Sequence, residues 1–357
     1  MRRVVVDPEL DKIVKAFDLF VSDFFQWVLS HDPNDPDLEG KINIENSPLA
    51  KVARKTSVKK LLISFVQCPD RNFIQSLYMY YIKNYQNIVD GTPYLISKFT
   101  PETWTLVINS FDYFYDTLLN IKIFQRNYIP DYDGPKELKR EIRKKFGEEK
   151  VCPYCDFHNI SHEDFSSIDH FLPKSRFPLL SIYSENLVIA CAGCNDRIKR
   201  DAFELPIFHP LFDDVTNYIT FKFDQTCSRI NIDYNVTFIH ELKSATNYCE
   251  LFKLEEVYIT ILYKLRSDRK KIRKSVETKF LLIDISKRDF TLLKKLYRDE
   301  VDTFLNENIE RRGSFGLTKL RIDFCKFLIE EGQKFDLDYL AEKLTIEIQE
   351  DVSLSRI

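Results

Sequence analysis

The chain has 357 residues, with 52 basic against 55 acidic side chains and a formal net charge of −3, which excludes a surface coated in positive charge and leaves any nucleic-acid contact to local patches. Only 8 glycines, against 29 phenylalanines and 18 tyrosines, favour a helix-rich body with few tight turns. No stretch approaches the ~18 apolar residues of a membrane span, and no secretory leader is visible, so the expectation is a cytoplasmic chain whose 8 cysteines are metal ligands and reduced core thiols.

Residues 8–29 read as an amphipathic helix, because Leu10, Ile13, Val14, Phe17, Val21, Phe24, Phe25 and Val28 recur at three- and four-residue steps. A polar, proline-marked loop follows from His31 to Asp37. A helix is predicted over about 71–86. Another is predicted from Thr100-Pro101-Glu102, with a capping threonine, proline in the first turn and an acid near the positive end of the dipole. Its buried stripe would be Trp104, Val107, Ile108, Phe111, Phe114 and Leu118. A charged helix, about Pro135 to Phe146, leads into a cysteine-bearing segment. Beyond that segment, Ile219, Phe221 and Phe223, then Ile230, Ile232, Tyr234 and Val236, alternate with polar residues, which predicts a hairpin turning through Asp224 to Arg229. Helical periodicity returns from about 246, including a helix opening at Ser286. The chain thus divides into an N-terminal helical region (1–146), a small α+β insert (147–212), a β-hairpin extension (213–245) and a C-terminal helical region (246–357), mainly α overall.

The insert carries Cys152-Pro153-Tyr154-Cys155 and Cys191-Ala192-Gly193-Cys194. Four thiolates so spaced make a closed tetrahedral zinc site, which supplies folding energy and has no open position for catalysis. A zinc ribbon separates such pairs by about 15–20 residues. Here residues 156–190 intervene, room for a long loop and two strands. Ile168-Asp169-His170 lies inside the frame, with Asn186 before the second pair and Asn195 directly after it. A helix starting at the second pair would place Asn195 in its first turn, with Lys199 on the same face. A zinc knuckle that only binds nucleic acid or a partner is the plainer alternative, although such a knuckle has no need of an interior Asp-His pair. His158 and His162 are further candidate ligands, and His209-Pro210-Leu211-Phe212-Asp213 reads as a loop packing back on the insert.

Cys152–Arg200 resembles an HNH endonuclease domain, the ββα-metal fold, in its four-cysteine form. The matching residues are the two CxxC pairs, Ile168 to Ser175, Glu185-Asn186-Leu187 and Asn195. The resemblance implies Asp169 as a ligand of a catalytic Mg²⁺ or Mn²⁺, His170 as general base, Asn186 orienting that base, and Asn195 as second metal ligand, with lysines at 174 and 199. It extends to bacterial HNH proteins of antiphage systems of the Septu and retron-linked types. The chemistry is compatible. Neutral imidazole takes a proton from water at neutral pH, and a hard cation held by a carboxylate and an amide oxygen keeps positions for water and phosphate. The expected products carry 5′-phosphate and 3′-hydroxyl ends.

For nucleic-acid contact the best run is Lys264, Arg266, Arg269, Lys270, Lys271, Arg273 and Lys274, seven basic residues against one acid, Asp268. Lys174 and Lys199 are further candidates, and no base-reading motif is visible. The expectation is a metal-dependent DNA endonuclease in antiphage defence, brought to substrate by a protein partner or by self-association through its helical regions. Its rivals are a ribonuclease of the same fold and a catalytically silent zinc-binding adaptor.

Overall fold

The computed structural model describes residues 1–345 apart from 95–98, 130, 135–136 and 147–148. The described chain is mainly helical, with two small antiparallel hairpins. No described helix is long and apolar enough to cross a membrane.

The first helix runs Pro8–Ser30, its start fixed by the Asp7 carboxylate accepting from the backbone N–H groups of Glu9 and Leu10. Its apolar face is aromatic. Phe24 meets Phe65 and Phe114 edge-on at 5.1 and 5.4 Å, and Phe20 meets Phe114 and Phe124. The Pro101–Asp116 helix starts as its sequence requires, with the Thr100 hydroxyl accepting from Thr103 N–H.

Three helices depart from their expected limits. The helix expected over 71–86 is two, Arg71–Lys83 and Tyr85–Val89, parted at Asn84, whose side-chain amide donates to the Tyr80 carbonyl. The charged helix is short, Leu138–Arg143 with a tighter turn Lys144–Phe146, and Pro135 and Lys136 lie outside the described residues. The helix expected from Ser286 spans Phe290–Glu310 and is capped by Asp289, which accepts from Leu292 N–H. Asp284 caps a separate short turn at Ser286.

Strand β1 (Ser166–His170) pairs antiparallel with β2 (Leu187–Cys191), Asp169 opposite Val188 and His170 opposite Leu187. Strands β3 (Ile219–Phe223) and β4 (Ile230–Tyr234) form the expected hairpin. Its turn is held by the Asp224 carboxylate accepting from Ser228 and Arg229 N–H.

Two compact units result where the sequence suggested four segments. One joins Met1–Val215 with Ile239–Phe252, and the other joins Thr216–Phe238 with Lys253–Ile357. In the first unit, the N-terminal helices pack directly on the cysteine-bearing segment. Asp18 of the first helix accepts from the Ser184 hydroxyl at 2.7 Å, and buried Lys145 donates to the Ser184 carbonyl. In the second unit, the hairpin belongs with the C-terminal helices. Phe221 N–H donates to Asp323, and Phe223 packs on Phe324 and Phe327.

Candidate metal and catalytic site

Cys152, Cys155, Cys191 and Cys194 converge, their sulfurs all within 4.8 Å of one another and all buried. The Sγ atoms of Cys155 and Cys191 are 4.0 Å apart, close to the ~3.8 Å edge of a tetrahedron with Zn–S bonds of about 2.3 Å. It is about twice the S–S bond of a disulfide. Backbone N–H groups of Cys191 and Cys194 point at the sulfurs of Cys152 and Cys191, at 3.3 and 3.4 Å, which supports thiolate charge. Hydrogen bonds to the Cys152 sulfur push the Cys155 and Cys194 thiols well above their ordinary range, so four thiolates need a compensating cation. Geometry and donor chemistry both fit zinc. His158 lies outside the four, its Nδ1 3.7 Å from Cys155 Sγ and 3.5 Å from Cys191 Sγ. His162 is exposed and faces Asp164.

From the frame the chain builds a hairpin and a helical turn. Strand β2 ends at Cys191, and a wide turn, Gly193–Lys199, follows, closed by Arg200 N–H on the Asn195 carbonyl. This turn lies against one face of β1. Asn195 donates its amide to Ser167 Oγ at 2.9 Å, and Lys199 reaches Asp169 Oδ1 at 2.9 Å. Ser167 and Asp169 are two residues apart and share that face. Lys199 also donates to the His170 carbonyl. Asp169 and Lys199 are 2 % and 1 % exposed, so Lys199, a sequence candidate for phosphate contact, is instead the buried ion partner of Asp169. The other Asp169 oxygen accepts from the Tyr154 hydroxyl at 2.6 Å.

A hard cation at Asp169 and Asn195 has oxygen donors of the right kind. The fit is tight, since each Asp169 oxygen already takes one hydrogen bond and has its second lone pair left. Asn195 Oδ1 accepts none among the described residues. Among those residues, the four cysteines form the one cluster of His, Cys, Asp or Glu spaced to hold a metal.

His170 closes β1. Its Nε2 lies 2.9 Å from the Ser181 carbonyl, an acceptor only, so Nε2 carries the hydrogen and Nδ1 presents the lone pair. Burial pushes the imidazole down to about 4, against the upward pull of the Asp169 charge, so the ring is neutral at neutral pH. Tyr115 of the Pro101–Asp116 helix packs edge-on against it, ring centres 4.6 Å apart. Asn186 was expected to orient this base, and it does not touch the ring directly. Its Oδ1 accepts from Leu172 N–H and the Tyr85 hydroxyl, and its amide donates to the Leu172 and Leu180 carbonyls. It pins the loop from which Ser181 reaches the ring, and Ser181 Oγ is tied to the Phe111 carbonyl.

Lys174 bonds Asp112 at 2.9 Å and lies over the Tyr115 ring, near Lys139. His209 is fully buried against Phe171, ring centres 4.1 Å apart, as a packed-back loop requires. The 264–274 run sits on the Leu262–Leu281 helix of the other unit, and it divides. Lys270, Lys271 and Lys274 are exposed, Arg266 is exposed but bonds the Cys227 carbonyl, and Lys264 is half-buried. Arg269 is buried on Asp336, and Arg273 joins it there under Phe335 and Tyr339. Neither arginine is placed to meet a phosphate, because both guanidiniums are engaged on Asp336, itself 0 % exposed.

Sequence reasoning missed Tyr154, Tyr115 and Tyr85, since each looks like another core aromatic. For Tyr154 alone a signal existed, its place inside the first CxxC pair.

A stretch of 69 residues, 19 % of this chain, is 32 % identical to the Septu protein PtuB of Bacillus thuringiensis and covers 27 % of that protein. No family model and no solved structure matches the chain.

Proposed function

We propose that the chain is a zinc-stabilised, metal-dependent endonuclease of the HNH type that cleaves DNA in bacterial antiphage defence. One observation carries the chemistry: a neutral His170, whose Nδ1 takes no hydrogen bond among the described residues, stands at the end of a strand whose preceding residue, Asp169, is held in place by two donors. The surrounding hairpin and helical turn are closed by four cysteines. His170 would take the proton from the attacking water, with the Ser181 carbonyl fixing its tautomer and Asn186 fixing the loop behind Ser181. Mg²⁺ or Mn²⁺ held through oxygens of Asp169 and Asn195 would supply Lewis acidity to the phosphate and to the departing 3′ oxygen. The short similarity to the Septu protein, together with the HNH resemblance of Cys152–Arg200, supports the defence setting. A partner protein or self-association through the helical regions would deliver the substrate.

A silent zinc-binding adaptor is favoured by one specific fact, the burial of Asp169 with both oxygens engaged. Purified chain with Mg²⁺ or Mn²⁺, offered plasmid and RNA in parallel, separates the readings. Nicking of plasmid that disappears in His170→Ala, at unchanged zinc content and melting temperature, is the expected result. Cleavage of RNA alone would assign the ribonuclease. Undiminished cleavage by His170→Ala would remove the general base, and no cleavage of either substrate would leave the adaptor.

A further inference from the structure

The four-cysteine frame does more than close the fold around Asp169, because each of its arms delivers one donor to that carboxylate. Lys199 comes from the turn after the second CxxC pair and takes Oδ1. Tyr154 comes from inside the first pair, between two sulfurs, and takes Oδ2 at 2.6 Å. Tyr154 is 0 % exposed. Its ring has little freedom to move. Phe252 stacks on it at 4.1 Å and 19°, and the backbone beneath is held by the Tyr248 hydroxyl, which lies 3.0 Å from both the Pro153 and Tyr154 carbonyls.

We infer that Tyr154 is a positioning residue that makes the competence of Asp169 as a metal ligand depend on the four-cysteine frame. The inference rests on the reading of Asp169 as a ligand given above. The physical basis is general: a ligating carboxylate held by an outer hydrogen bond loses on the order of 10- to 100-fold in metal affinity when that bond is removed. Tyr154→Phe deletes the donor and keeps the ring against Phe252. Mn²⁺ is the probe, followed by electron paramagnetic resonance on the full zinc-loaded chain, with zinc content and melting temperature measured alongside.

The expected result is a parent that binds Mn²⁺, an Asp169→Ala variant that does not, and a Tyr154→Phe variant that keeps its zinc but binds Mn²⁺ at least about 10-fold more weakly. In cleavage, the Mn²⁺ concentration for half-maximal rate should rise by a similar factor, with the rate at saturating Mn²⁺ much less changed. A purely structural role would lower zinc content and leave that split absent. If Asp169→Ala binds Mn²⁺ as the parent does, the ligand reading fails and takes the inference with it. If Asp169→Ala abolishes binding while Tyr154→Phe leaves it unaltered, the inference alone is overturned. Should Tyr154→Phe fail to retain zinc, 3,5-difluorotyrosine at 154 keeps the hydroxyl and the shape while changing donor strength. A shifted Mn²⁺ dissociation constant then supports the inference, and an unshifted one overturns it.

Discussion

Lys199 shows how far a side chain's chemistry is decided by what surrounds it. In the sequence it is one lysine near a predicted metal site, and phosphate contact is the natural expectation. In the fold it is 1 % exposed and shares its ammonium between Asp169 Oδ1 and the His170 carbonyl, both at 2.9 Å. Burial is what the sequence could not show, whereas the place of Asp169 and His170 between the two cysteine pairs could be read from it directly. Lys199→Met should therefore act on the fold as well as on catalysis. It strands a buried carboxylate, at a cost of about 3–5 kcal/mol, seen as a lower denaturation midpoint by circular dichroism. A variant as stable as the parent would show that the pair is not structurally required.

His209 offers a pH test at the same scale. Burial holds its imidazole well below the ordinary range, and Nδ1 accepts from Leu211 N–H, so the folded chain keeps the ring neutral. The unfolded chain protonates it below about pH 6.5, so stability from this residue is complete above that pH and is lost as pH falls. Asp18 and Asp213, both raised to about 6 by burial, work in the opposite direction: the folded chain holds their protons longer, so their contribution falls as pH rises from about 4 to 6. The comparison must therefore be between parent and His209→Gln at each pH. The destabilisation caused by the substitution should be largest at pH 7 and shrink by up to about 1.4 kcal/mol per pH unit toward pH 5. A difference constant across that range would show that His209 does not titrate with unfolding.

At the scale of elements, spacing was the legible quantity. The CxxC pairs predicted a closed cluster, residues 156–190 predicted a long loop and two strands, and period-two alternation predicted β3 and β4, all of which the fold contains. Element ends were less legible where two cap residues compete, as Asp284 and Asp289 do, or where a side chain such as Asn84 takes a helical carbonyl. The cluster leads to a prediction about β1 and β2. Cys152 stands at the entry to the insert and Cys191 ends β2, so losing a thiolate frees the ends of the hairpin that carries Asp169. Elemental analysis should find about one zinc per chain. Cys152→Ser and Cys194→Ser should lose it, with lower solubility and melting temperature. Stable, zinc-free parent protein would contradict this.

Across the whole molecule, the sequence could not tell which segments pack together. Composition is helical on both sides of the insert, and nothing in the chain announces that 216–238 joins the C-terminal helices while 239–252 returns to the first unit. The basic run 264–274 suffered from the same limit. Its arginines and lysines look equivalent in sequence, but the Leu262–Leu281 helix turns Arg269 and Arg273 inward to Asp336 and leaves Lys270, Lys271 and Lys274 in solvent. The two groups should therefore respond to substitution in separate ways. Asp336→Ala removes the shared carboxylate and leaves the Arg269 guanidinium buried without its counter-charge, which should destabilise the second unit by about 3–5 kcal/mol, read as an earlier unfolding step in calorimetry. Reversing Lys270, Lys271 and Lys274 to Glu should leave that step in place. If this helix tracks a phosphate backbone, the reversal should weaken DNA binding at low salt and reduce the slope of log affinity against log salt by up to about 0.9 for each lost contact. Equal DNA affinity and slope before and after the reversal would show that the exposed lysines are only a solvated helix face, and would move the search for substrate contact to Lys139 and Lys174, which lie over Tyr115 beside His170.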